Sequence, residues 1–195
     1  MNRIIKLLLA SLTSAVLFGC AHPISMKPDL TSLKSQGSPI EKQVGYYMAD
    51  TSKALEVTTP GGGGDKVRYF PYRDIEPGFY KALSEVFSNV SKIKNAKDLD
   101  EVSKSGISLL IVPEITTTSS SPSPFTWPPT LFSVTLSCSI TDATGQSIRT
   151  FSVTGNGNAE FDEFKKNFSL ASERATNDAL SKLIIALQEA PELRK

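Results

Sequence analysis

Few side chains in this sequence are equipped for chemistry, and their spacing limits what they could do. The only imidazole is His22, and the only thiols are Cys20 and Cys138. A zinc site needs three or four such ligands. Nothing near His22 completes a coordination shell, so no metal is expected. A nucleophile–histidine pair is excluded too, because His22 precedes the part of the chain that reads as a folded domain. No serine motif supports a Ser–Lys pair. Asp74 and Glu76 flank a helix start. They either form a catalytic carboxylate pair or complement the exposed amides of the helix. Gly61–Gly64 invites a phosphate-loop reading, but that loop requires Gly-Lys-Ser/Thr and then a helix. Here Asp65-Lys66-Val67 follows and leads into a strand. The glycines therefore read as a flexible turn, or as backbone packed closely against another surface. No catalytic residue and no cofactor is expected, and the chain reads as a non-enzyme.

Cys20 closes a distinctive N-terminus. Arg3 and Lys6 form a short basic region. An apolar stretch from Ile4 to Phe18 follows, interrupted only by Lys6, Ser11, Thr13 and Ser14. That pattern is a secretory signal, too short for a comfortable membrane span. It ends in Leu17-Phe18-Gly19-Cys20, which resembles the signal end of bacterial lipoproteins. The resemblance implies diacylation of the Cys20 thiol, cleavage before it and acylation of the new amino group. Phe18 is bulkier than that family usually carries. Ala21 stands where an aspartate often signals inner-membrane retention, which points to the outer membrane, facing the periplasm. Acyl chains contribute ~0.8 kcal/mol per buried CH₂, and more than one chain gives lasting anchorage. With Cys20 lipidated, Cys138 has no disulfide partner and should be a shielded core residue.

Charge narrows the partners. Lys plus Arg number 21 against 20 Asp plus Glu, a net charge of +1. No nucleic-acid partner is expected from such a balance. The expected contacts are the membrane, through the lipid, and an envelope protein. Thr116–Pro129 is the unusual stretch. It reads as a long loop between strands, with Phe125 and the single tryptophan, Trp127, among prolines. Prolines lower the cost of ordering and aromatics anchor interfaces. Phe125 and Trp127 are thus the candidate partner contact, the other reading being that Trp127 folds back over the domain's own core.

These residues must be positioned by an ordinary domain, with 39% apolar and 21% charged residues. His22–Pro39 is rich in Pro, Ser, Lys and Gly and reads as a tether. Val44–Met48, Leu55–Thr59 and Lys66–Tyr72 read as strands. Pro77 fits a first helical position, and Phe79, Leu83, Val86, Phe87 and Val90 share one helical face. A short strand around Val90–Ile93 and a helix over Lys97–Ser105 follow, the latter ended by Gly106. Ile107–Ile115 is apolar on both parities, a strand covered on both faces, with Pro113 marking an edge, a bulge or its end. Phe132, Val134, Leu136, Cys138 and Ile140 alternate with polar residues, a strand with one dry face. Asp142–Gly145 turns the chain into a second hairpin arm over Ile148–Gly155. Phe161, Phe164 and Phe168 read as a lid over the core, or as a lipid-facing patch. Ser169 caps a last helix whose stripe is Ala171, Ala175, Leu180, Leu183, Ile184 and Leu187.

The expected fold is α+β, an α/β two-layer sandwich. It is a mixed sheet with two main amphipathic helices on one face. The organisation is a signal over 1–19, a tether over 20–39, one periplasmic domain over 40–190 and a tail over 191–195. From Phe79 to Leu187 the pattern resembles small envelope lipoprotein domains. These include the YajG-like lipoproteins and the amino-terminal TolB and penicillin-binding-protein activator types. That resemblance implies a non-enzymatic binding or scaffolding role in an envelope complex. The alternative is a carrier of a small apolar ligand or lipid, held between sheet and helices.

Overall fold

The computed structural model describes residues 21–122 and 128–194. Its strands are β1 (Ala21–Pro23), β2 (Ile40–Tyr46), β3 (Val57–Pro60), β4 (Lys66–Tyr69), β5 (Phe87–Lys92), β6 (Leu109–Ser120), β7 (Leu131–Asp142) and β8 (Ser147–Asn158). Its helices are α1 (Asp50–Lys53), α2 (Pro71–Val86), α3 (Leu99–Lys104), α4 (Phe161–Phe164) and α5 (Leu170–Gln188), followed by a 3₁₀ turn at Pro191–Arg194.

Five strands form the main sheet in the order β5-β2-β6-β7-β8. β2 runs parallel to both β5 and β6. β6, β7 and β8 form an antiparallel meander of 12-residue strands. The α+β class is therefore as expected. α2 and α5 pack together on the sheet face that carries Leu109, Ile111, Phe132, Val134, Leu136, Cys138 and Ile140. The opposite parity of β6 explains the doubly apolar run. Leu110 joins Ile93, Val102 and Ile107 in a second, smaller cluster under α3. One further helix thus covers part of the other face.

A smaller sheet, β1-β4-β3, sits beside the main one. Partly buried hydroxyls stitch the two together. Tyr69 Oη lies 2.7 Å from Thr117 Oγ1, and Thr59 Oγ1 lies 2.6 Å from Ser119 Oγ. Each hydroxyl can donate and accept, so such pairs match polar atoms to one another where the two sheets meet.

Several expectations need correction. Residues 21–39 are not a tether but a strap along the domain. β1 pairs with β4, Ser25 N donates to Ser169 Oγ at 2.9 Å, and Ser172 Oγ donates back to Ser25 O at 2.6 Å. Met26 and Leu33 are fully buried. The strap's polar composition hid this because its apolar residues have no period. Of the expected tail, Pro191–Arg194 forms a 3₁₀ turn with Leu193 buried in the main core.

The first long helix begins at Pro71, not Pro77. Pro71 occupies the favoured first position and Pro77 lies inside the helix. Gly78 beside it is where Pro28 of the strap presses in. A methyl there would meet Pro28 Cγ at 2.3 Å. β6 also runs past Pro113 to Ser120. β2 accompanies β6 only over Leu109–Ile111, so Pro113 lies where β6 has β7 alone as neighbour and a missing N–H is tolerated.

Candidate functional site

The described residues singled out for chemistry are spread over α2, β7, β1 and the β3–β4 turn, and each serves the fold. Asp74 is buried in the first turn of α2. It accepts hydrogen bonds from Met26 N at 3.2 Å and from Arg73 Nε at 3.3 Å. It therefore fixes the strap. Glu76 points elsewhere, between Lys92 and Lys53, the latter at 3.9 Å. Beside it the Tyr46 phenol is pushed up to about 12, first by burial and then by the Glu76 charge. The two carboxylates do not converge on a common point, so no acid–base pair forms.

Cys138 is fully buried on the dry face of β7, and burial pushes its thiol up to about 12. A thiol with so little thiolate is neither a nucleophile nor a ligand. The expected core role is what the packing gives.

Gly61–Gly64 is the turn of the β3–β4 hairpin. Gly61 N donates to Asp65 O at 2.9 Å, and Asp65 N donates to Gly62 O at 3.1 Å. Gly63 and Gly64 have φ of 65° and 86°, a region that L side chains rarely enter. His22 Nε2 lies 3.8 Å from Asp65 Oδ2, so the imidazole leans on this turn.

One end of the molecule carries two adjoining surface hollows. The turn, Lys66, Ser121 and Pro122 line one surface hollow. Pro122, Leu131, Ala159, Phe161 and Phe164 line its neighbour. Cys20, Phe125 and Trp127 lie outside the described residues. What is described are the points where their segments join: Ala21 at the start of β1, and Pro122 and Pro128 around 123–127. Because β6 extends to Ser120 and β7 starts at Leu131, the connection is shorter than the Thr116–Pro129 loop expected. The phenylalanine lid is reduced to one residue. Phe164 is buried, while Phe161 and Phe168 stay exposed.

The sheet–helix seam leaves no space for a carried ligand at β8. A methyl on Gly155 would stand 2.2 Å from Ala175 O, and one on Gly157 would stand 2.1 Å from Ala171 O. Sequence reasoning missed the Thr59–Tyr69–Thr117–Ser119 hydroxyl group entirely. Its members come from strands some 50 residues apart, and no local pattern marks them.

No protein-family model matches the chain, and no curated protein matches it in sequence. Solved structures do. Protein XCC0632 of Xanthomonas campestris, of family DUF330, is 10% identical, with 88% of this chain and 91% of that one aligned at a TM-score of 0.51. The PelC dodecamer of Paraburkholderia phytofirmans is also 10% identical, over 80% of this chain and 94% of that one, at a TM-score of 0.51. A minor lipoprotein of Acinetobacter baumannii aligns at 12% identity over 76% and 94%, at a TM-score of 0.45. At this identity the first two likenesses establish a shared overall fold and nothing finer.

Proposed function

We propose that this chain is a lipid-anchored envelope lipoprotein, a non-enzymatic binding or scaffolding component of an envelope protein complex. The Leu17–Cys20 signal end supports the anchor, and Ala21 after it supports the outer membrane, facing the periplasm. The finer kinship with YajG-like and amino-terminal TolB domains belongs to this same reading. The observation that carries the binding role is the fold shared with a protein that assembles as a dodecamer, PelC. The engagement of Asp74, Glu76 and Cys138 in the fold supports a non-enzymatic role. Phe125 and Trp127 remain the proposed partner contact.

The test compares wild type, Cys20→Ala and Trp127→Ala in native membranes, by acyl-mass analysis, fractionation and crosslinking. The expected result is acylated wild type in the outer membrane, Cys20→Ala released from it, and a crosslinked partner lost from folded Trp127→Ala. Membrane retention of Cys20→Ala without acyl mass on wild type would overturn the anchor. An unchanged set of crosslinks in Trp127→Ala would overturn the contact.

A further inference from the structure

On the lipoprotein reading of Cys20, we propose that the end of the domain built around Ala21 is seated directly on the bilayer, with Leu131 and Phe161 entering the interfacial layer. The decisive feature is how little chain separates the acylated residue from folded structure. Ala21, the next residue, already lies in β1 and pairs with Lys66. Consecutive Cα atoms are about 3.8 Å apart and neighbouring strands about 4.8 Å, so Lys66 lies within roughly 10 Å of Cys20. The polar layer of a bilayer is ~5–8 Å thick on each side. A cysteine whose acyl chains reach the hydrocarbon therefore holds Ala21 and Lys66 at headgroup level. A free tether reaching to Ile40 would instead have a mean reach of ~24 Å and let the domain tumble. The strap removes that freedom.

What this end presents suits a lipid surface. Leu131 is 48% and Phe161 60% exposed, and the two stand on the same hollow rather than scattered singly. Together with Pro122 they line one hollow, and Pro122 joins it to the Gly61–Gly64 turn and Lys66. Lys165 Nζ stands 5.1 Å from the Phe161 ring centroid, an aromatic with a cation beside it, as favoured between hydrocarbon and headgroups. Asp65, Glu160 and Asp162 share this end, so its charge is mixed. Apolar insertion, not electrostatic attraction, carries the contact.

The experiment uses the full lipidated protein in phosphatidylcholine vesicles, with a nitroxide placed in turn at Lys66→Cys, Asp162→Cys and Thr144→Cys. Thr144 belongs to the β7–β8 turn at the far end, and Cys138 is buried away from the label. Collision with dissolved oxygen is compared with collision with a water-soluble nickel chelate. The expected oxygen-to-nickel ratio is several-fold higher at 66 and 162 than at 144, and falls in L131S/F161S. Equal ratios at all three positions on protein with acyl mass on Cys20 would overturn the seating alone. A ratio highest at 144 would do the same by reversing the orientation. No acyl mass on Cys20 would overturn the lipoprotein reading and this seating with it.

Discussion

Glu163 shows how the polar residues of this protein act on structure. Its two oxygens accept from Arg174 Nη1 at 3.0 Å and Nη2 at 2.8 Å, and Oε2 also accepts Glu160 N at 3.0 Å. The Arg174 hydrogen bonds first, and then the Glu160 amide, hold its carboxyl at about 2. A carboxyl lowered in the folded state stabilises above its ordinary 4.5, and that contribution is lost as the pH falls toward about 2. Both partners are about 40% exposed, so water screens much of the effect. In Arg174→Ala the Glu163 carboxyl should titrate nearer its ordinary value by carbon NMR. The melting temperature of the variant should also fall less than that of wild type between pH 4.5 and 2. An identical Glu163 titration in both proteins would show that the pair does not form. Of the residues equipped for chemistry, the sequence made Cys138 legible through strand alternation. Asp74 was legible as a helix-start acid but not as the acceptor of Met26 N, because that bond spans 48 residues.

Among the elements, the seam between β8 and α5 brings strand and helix backbones into close contact. Gly155 and Gly157 let the helix backbone lie on the strand, so Gly155→Ala should cost about 3 kcal/mol through overpacking. Gly64→Ala meets nothing within 4 Å but sits at φ +86°, and should cost about 1 kcal/mol by strain alone. Urea unfolding of the two variants distinguishes the mechanisms, and equal costs would contradict the seam. α5 also covers the free edge of β8. Lys182 Nζ donates to Thr154 O, Asp178 accepts Asn156 N, and Arg174 donates to Asn158 O. Charged side chains on a long edge discourage pairing with another chain. The alternation of β7 and the apolar stripe of α5 could be read from the sequence because both are local periods. The Thr-Ser run from Thr116 could not. It has the composition of a loop, yet Thr117 and Ser119 lie in β6, paired with β7, and share hydrogen bonds with the Tyr69 and Thr59 hydroxyls.

At the scale of the whole molecule, the strap completes the core. Full burial of Met26 and Leu33 contributes ~1.5–3 kcal/mol each. A domain's total stability is only about 5–15 kcal/mol. A chain beginning at Ile40, the domain start expected from composition, should therefore be unfolded or aggregated by circular dichroism and light scattering. A cooperative melt equal to that of the full chain would contradict this.

The strap's partners lie far along the chain. Ser25 bonds with Ser169 and Ser172, and Ser38 O accepts from Gln188 Nε2 at 2.7 Å. Contacts at such separations slow folding, since a long loop must close before they form. The earliest part of the domain to leave the ribosome is thus among the last to find its place. Until α5 has been made, Met26 and Leu33 lack their full surroundings, and the finished domain closes like a belt whose buckle is delivered at the end.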